Sequence, residues 1–404
     1  MYPLLLQLGI YVTRIPGSSA SPDSVPSVPE DSFCRSLSKA AASMGILLFL
    51  FSPEELSGGK FYSYRLQGGV WKRELSALPD LIYDRCFYKN NVERMRCRAV
   101  LRALHTRKPH LMLSGELPSK WDVYVAWKDD VQLSPYLPQT QRYDTLLRAC
   151  VLCKEQQLFL KPSSGMQGKG VIHLSYLPYE QQWKLAGRTR RNRPFEMKFS
   201  DQTACEAWIV RFIGNTKYLI QPYLELTGTD RKPFDVRALV QKDDKGRWQM
   251  TGTAVRTGAT GSVTSNLHGG GDSSDAAGCL ASLYGARQAE ELLQQIGVIS
   301  ELAAERLEGA FGRYAEFGLD FGIEPSGRLW LIEANSKPGR ACFRLQPDIQ
   351  KESLERPLRY ARLLSRRLAA TRETPIFPLP SIRQSSRDAN ENPTSSDNVQ
   401  EVHP

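Results

Sequence analysis

Residues 318–340 read GLDFGIEPSGRLWLIEANSKPGR, and they put three oxygen-bearing side chains into otherwise apolar strand sequence. Two runs, 318–323 and 328–335, flank Glu324, Pro325, Ser326 and Gly327, a turn-rich connection that suits two antiparallel strands. Strand side chains alternate faces, so Glu333 and Asn335 share one face while Trp330, Ile332 and Ala334 take the other. With residues 325–328 as the loop, Asp320 stands opposite Glu333, the Cβ atoms about 5 Å apart. Facing carboxylates repel, and a bound Mg2+, with its demand for oxygen ligands, removes that cost. The same residues admit a plainer reading, a polar sheet face on which both acids are merely solvated.

Outward from this stretch, the totals set bounds. A chain of 404 residues has room for two or three domains with proper cores, and 41% hydrophobic and 24% charged residues are ordinary for a soluble globular protein. The longest apolar run, residues 46–51, is far short of a membrane span, and the N-terminus lacks the basic start and cleavage site of a signal peptide, so a cytoplasmic protein is expected. Eight cysteines are scattered rather than spaced as a disulfide scaffold. Only Cys150 and Cys153 form a CxxC, and with no second pair or nearby histidines they read as buried thiols on a helix. The net charge of +10 suits an anionic partner (nucleotide, nucleic acid or acidic polymer) without choosing among them.

Residues 1–115 read as an α/β unit, with strands at 3–12, 45–51 and 81–83, a hairpin at 61–65 and 69–74, a helix at 94–105 and a Ser- and Pro-rich loop at 16–32. Arg85, just past Leu81, Ile82 and Tyr83, stands where α/β sheets place ligands, although a surface arginine is the simpler reading. A helix from Lys120 runs into a loop closing at 137–140, and a second helix is expected at 143–156. A short strand, 158–161, then opens onto SSGMQGKG, residues 163–170. Gly165, Gly168 and Gly170 permit positive φ there and let main-chain N–H groups converge on an anion. This is not a Walker A loop, because Gly165 and Gly168 are too close and no Ser or Thr follows Lys169. A plain hairpin is the commoner meaning of such glycines; Lys161 at the strand end favours phosphate, which an ammonium reaches as a point charge.

Residues 184–198 carry four arginines and two lysines against the single acid Glu196. With Phe195 as the only aromatic to stack a base, a solvated loop is expected there rather than a nucleic-acid surface. A helix at 202–213, a strand at 218–223 and a strand pair at 234–240 and 248–256 follow. Asp235 and Arg237 share a face in that pair, as do Ala254 and Arg256, and charges inside strands need partners. Ser265, Asn266, Leu267 and His268 lead into Gly269, Gly270 and Gly271, a second flexible loop. Helices at 287–296 and 301–314 precede the hairpin, a basic helix at 354–371 follows it, and residues 373–404 have the composition of a disordered tail.

Laid out in this order, the sequence resembles the ATP-grasp superfamily, and more closely the YheC/YheD group of endospore-coat-associated ATP-grasp proteins. The resemblance runs from about residue 81 to 340 through LIYDRCFYKN, LPSKWDVYVAW, LPQT, FLKPSSGMQGKG, YLIQPYLEL, FDVRALVQKDDKGRWQMTG, TSNLHGGG, GLDFGI and LIEANSKPGR. Each piece is degenerate; their order and spacing together are specific. The part with Asp235, Arg237, Arg256 and residues 265–271 is also similar to the ribosomal-protein glutamate ligases of that superfamily. The resemblance implies an α/β fold with a pre-ATP-grasp domain at 1–115, a two-lobed ATP-grasp domain at 116–372 hinged near 221–225, and a tail. It implies ATP with Mg2+, or Mn2+ in its place. Lys120 and Lys161 would hold the phosphates, with Gly165, Gly168 and Gly170 in the mobile loop above them. Gln221, Tyr223 and Leu224 would form the hinge whose backbone reads adenine, Glu225 would reach the ribose, and Asp320, Glu333 and Asn335 would hold the metal. Arg256 and Asn266 would face the γ-phosphate and an acyl phosphate, with Asp235 and Arg237 positioning Arg256 or the substrate. Arg340 would serve the same anion or only cap the fold.

Such a ligase needs no nucleophilic side chain, only cations where negative charge develops, and no Ser-His-Asp arrangement is recognisable. The expected function is an ATP-dependent carboxylate–amine ligase with unidentified carboxylate and amine substrates, at work in spore-coat or envelope formation. The alternative is a coat-associated protein that binds ATP, or keeps only the fold, without turnover. A chain drifting from catalysis loses its metal and phosphate residues first, and here all are present.

Overall fold

The computed structural model describes residues 5–17, 26–143, 154–165, 168–228, 232–258 and 272–372. Within them three sheets follow one another along the chain. The first has seven strands, β1 (Leu6–Tyr11), β2 (Ile46–Phe51), β3 (Leu56–Ser57), β4 (Lys60–Gln67), β5 (Val70–Leu75), β6 (Leu81–Asp84) and β7 (Leu111–Met112), in the order β3-β4-β2-β1-β6-β7 with β5 added on β4. Its centre is parallel and buried on both sides, which is why β1, β2 and β6 are near-continuous apolar runs. Helix α1 (Asp31–Ser43) begins inside the stretch expected to be a loop: Cys34, Leu37 and Ala41 recur at helical spacing and bury one face. Helix α2 (Asn91–Arg107) starts at an Asn90 cap that accepts from the Glu93 N–H.

The second sheet holds β8 (Gln141–Arg142), β9 (Leu158–Pro162), β10 (Val171–Leu177), β11 (Gln182–Arg188), β12 (Pro194–Phe199) and β13 (Tyr218–Pro222), in the order β12-β11-β10-β9-β13-β8. Helix α3 (Lys120–Lys128) precedes it and α4 (Gln202–Ile213) lies between β12 and β13. The basic run is therefore a β-hairpin rather than a solvated loop. Trp183 and Leu185 bury one face of β11, and several cations are used locally: Lys184 pairs with Glu196, Lys198 with Glu180, and Arg190 caps α4 through the Ile213 carbonyl.

The third sheet, β14 (Phe234–Lys242), β15 (Trp248–Thr257), β16 (Asp272–Asp275), β17 (Glu316–Ile323) and β18 (Leu329–Asn335), is ordered β16-β15-β14-β17-β18. After α5 (Ala276–Tyr284), α6 (Ala286–Phe311) crosses the apolar side of this sheet. The two helices expected at 287–296 and 301–314 are this one helix. Its buried stripe, Ala289, Leu292, Ile296, Ile299, Ala303 and Leu307, runs on through Gly297, whose cost of about 1 kcal/mol inside a helix the packing overrides. Trp127 of α3 donates to the Ala303 carbonyl at 3.1 Å, which docks α3 on α6 and fixes where Lys120 stands. The last helix, α7 (Pro347–Arg372), starts seven residues before the expected 354 and packs Leu358, Ala361 and Leu364 into the core of the first sheet. The helix expected at 143–156, with Cys150 and Cys153, falls almost wholly outside the described residues, as do residues 373–404. Among the described residues no helix is long and apolar enough to cross a membrane.

Candidate functional site

The β17–β18 hairpin is built one residue differently from the sequence expectation, and the difference makes the site. Ile323 pairs with Leu329, so the connection is residues 324–328, and a β-bulge at Ile332 then restores Asp320 opposite Glu333. Without the bulge, Glu333 would fall on the core side with Leu329 and Leu331. With it, Phe321, Leu331 and Ile323 face the core, while Asp320, Glu333, Gly318 and Asn335 share the other face. Trp330, paired with Gly322, joins this polar face, opposite to where plain alternation puts it.

Asp320 is the end of a buried chain of charges across three strands. Arg237 on β14 reaches it with Nε at 2.5 Å and Nη2 at 3.1 Å, and Arg256 on β15 reaches it with Nη2 at 3.0 Å. Asp235 grips Arg256 bidentately at 2.6 and 2.7 Å. All four side chains are buried, and two cations balance two anions. Burial pushes the Asp320 carboxyl up, but Arg237 and Arg256 together hold it below the usual carboxylate range. The strand-interior charges noted in the sequence thus find each other.

Glu333 faces the second sheet, where its Oε1 accepts from Lys120 Nζ at 2.6 Å. Lys120 is the first residue of α3, behind a Ser119 capping box, and its backbone N–H donates to the Ser163 carbonyl, tying the helix start to the glycine loop. Lys161, at the end of β9, is 7% exposed and has no ion-pair partner among the described residues. Burial lowers its pKa to about 8, with neighbouring Lys120 adding to the shift and Glu333 and Asp320 opposing it. Lys120, Lys161, Thr140, Gln221 and Glu333 line one cleft, whose apolar wall is Val123, Trp127, Leu137, Leu219, Leu331 and Ala334.

Of the expected hinge, Gln221 lines this cleft; Tyr223, Leu224 and Glu225 are not among its lining residues. The Tyr223 N–H donates to the Gln157 carbonyl, the Leu224 carbonyl accepts from Leu226, and Glu225 is exposed. The Tyr223 ring stacks on His173 with centroids 3.7 Å apart; burial, then Lys184, lowers the His173 pKa to about 4, so this histidine is a neutral packing group. Gly168 and Gly170 have φ of +66° and +73°, which only glycine adopts without strain, and Tyr218 Oη fixes the loop end by donating to the Gly170 carbonyl at 2.7 Å. Met166 and Gln167 at its tip, and Asn266 and His268 of the second loop, lie outside the described residues.

Arg85 corrects the sequence reading most plainly. It is not on the surface but 1% exposed, gripped by Glu30 at 2.9 and 2.7 Å and 3.6 Å from Glu316. Glu316, fully buried at the start of β17, also accepts from Tyr83 Oη, from Arg340 at 2.6 Å and from Gln241 at 2.8 Å. Lys337 reaches Asp84 at 2.8 Å. These contacts join the end of β6 to the loop after β18, and they make Arg340 a structural cap.

With this geometry in view, the comparisons place the chain. The fold is that of the ATP-grasp class. Residues 110–364 match the family model described as YheC/D like ATP-grasp, and the chain belongs to that family. It is 30% identical to the endospore coat-associated protein YheC of Bacillus subtilis strain 168 over 334 residues, 80% of this chain and 90% of that one. It is 28% identical to the endospore coat-associated protein YheD of the same organism, over 78% of this chain and 69% of the other. Among solved structures it is similar to a RiPP-associated ATP-grasp ligase of Chryseobacterium gregarium in complex with ADP and a leader and core peptide (11% identity, 90% and 97% coverage, TM-score 0.49).

Proposed function

We propose that this chain binds Mg-ATP in the cleft between the second and third sheets and uses it as an ATP-dependent carboxylate–amine ligase. The observation that carries the reading is Lys161, a buried ammonium with no ion-pair partner among the described residues, lining a cleft with Lys120 and Glu333. A buried cation of this kind is costly unless an anion meets it, and the phosphates of a nucleotide would supply that anion.

A hard cation fits the donor set. Asp320 and Glu333 are carboxylate oxygen donors on one face, with the Asn335 amide on the same face. Among the described residues no group of three or more His, Cys, Asp and Glu side chains forms a metal site, so the set is complete only with that amide. When bound there, the ion supplies positive charge to phosphate oxygens. Both carboxylates are already balanced, Glu333 by Lys120 and Asp320 by its two arginines. With nucleotide bound, Lys120 would exchange Glu333 for phosphate, and Glu333 would then be free to hold the cation.

In the reaction a substrate carboxylate attacks the γ-phosphate and ADP leaves; an amine then attacks the resulting acyl phosphate, and inorganic phosphate leaves with the amide formed. Lys120 and Lys161 hold the phosphates, Arg256 faces the developing charge with Asp235 fixing its plane, and Arg237 keeps Asp320 in place. Asn266, outside the described residues, has the acyl-phosphate role only as the resemblance implies it. The names of the YheC and YheD relatives support a place in spore-coat or envelope formation. The test is ADP release with pooled amino acids and cell-wall fragments, wild type against Glu333→Ala. We expect release that needs a pool and is lost in the variant. No release from any pool, with Mg-ATP still bound, leaves a non-catalytic ATP-binding coat protein.

A further inference from the structure

Two polar side chains of the cleft, Thr140 and Gln221, are coupled to each other. Thr140 Oγ1 donates its one hydrogen to the Pro138 carbonyl at 2.8 Å, and Gln221 Nε2 donates to Thr140 Oγ1 at 2.7 Å. A hydroxyl that has given away its proton can only accept, so the nitrogen end of the Gln221 amide must face it. Thr140 thereby fixes which way round the amide lies. Gln221 Oε1 is left over: among the described residues nothing donates to it, and it is not one of the buried polar atoms closed off from solvent. Both side chains line the cleft, as do Leu137, Leu219 and Leu331.

We infer that Thr140 is a positioning residue for base selection: by holding Gln221 as an acceptor it makes the cleft prefer a purine with an exocyclic amine over one with a carbonyl at that place. The inference rests on the nucleotide reading of the cleft. A base donating to Oε1 completes a buried hydrogen bond, whereas a carbonyl there sets two acceptors against each other and leaves Oε1 unmet. Without the Thr140 hydroxyl the amide is free to turn and offer its nitrogen, which suits the carbonyl base.

The experiment measures the dissociation constants of Mg-ATP and Mg-ITP, which share sugar and phosphates, for wild type, Thr140→Val and Thr140→Ser. Wild type is expected to favour ATP by at least about tenfold. In Thr140→Val the ratio falls to within about threefold of unity, and ITP binds more tightly than to wild type, which damage to the fold does not produce. Thr140→Ser, which restores the hydroxyl, restores the ratio. An unchanged ratio in Thr140→Val, or equal weakening of both nucleotides, overturns the role of Thr140. Binding of neither nucleotide to wild type overturns instead the reading of the cleft on which it rests.

Discussion

Glu316 and Asp320 lie four residues apart on one strand, on the same face, each buried beside two arginines, and they are built for opposite purposes. Around Glu316 every neighbour is closed in: Tyr83, Gln241 and Arg340 take its oxygens, and Arg85 is shared with Glu30. Around Asp320 the charges balance equally well, but the next carboxylate across, Glu333, is held by a partly exposed Lys120 at a cleft where Lys161 has no ion-pair partner among the described residues. A buried ion pair is therefore not by itself a site. What separates the two is an uncompensated charge with space beside it.

The contrast breaks first on stability. Glu316→Ala strips a buried cluster of its anion and strands Arg340, so urea unfolding is expected to show a loss of about 3–5 kcal/mol. Glu333→Ala, whose ion pair is partly solvated, is expected to change stability by no more than about 1 kcal/mol. Equal losses in the two variants would erase the distinction.

Next in size is Lys120. Lys120→Ala should weaken Mg-ATP by about 10- to 100-fold, the worth of a charge-assisted phosphate contact. The same variant should strengthen Mn2+ binding in the absence of nucleotide, read by electron paramagnetic resonance, because Glu333 is freed. Weakening of both would show that Lys120 and Glu333 do not exchange partners.

The smallest effect is the pH dependence from Lys161. Its folded pKa, about 8, lies below the value of about 10.4 for a free lysine. The folded protein thus binds fewer protons than the unfolded chain between those values, and this group's contribution to stability rises with pH across that window. Nucleotide affinity runs the other way: below about pH 8 the ammonium is present, and above it affinity should fall by up to about tenfold per pH unit. Titrations in Lys161→Met should be flatter over that range; an identical slope would remove Lys161 from the phosphate site.

Much of this was legible in the sequence. Asp320 opposite Glu333, Asp235 and Arg237 on one face and the Lys161 strand end follow from alternation and turn chemistry, while the register that sets Arg256 opposite Asp235 does not. The route to Asp320 and Glu333 was partly wrong, since a longer loop and a bulge at Ile332 compensate each other, and no local pattern announces a bulge. The helices expected at 287–296 and 301–314 are one, because the buried stripe that carries α6 past Gly297 packs against a sheet elsewhere in the chain. Arg85 was misjudged because its partners, Glu30 and Glu316, are 55 and 231 residues away. Thr140 lay inside the quoted LPQT stretch without a role, because only the fold brings Gln221 beside it.

The most direct measurement is the melting temperature of the wild-type protein with and without Mg-ATP, beside Glu333→Ala. A ligand that binds only the native state at 100 times its dissociation constant adds about 2.7 kcal/mol, a rise of several degrees for a chain of this size. The account predicts that rise for wild type and its near loss in Glu333→Ala. An unchanged wild-type melting temperature at saturating Mg-ATP would contradict it.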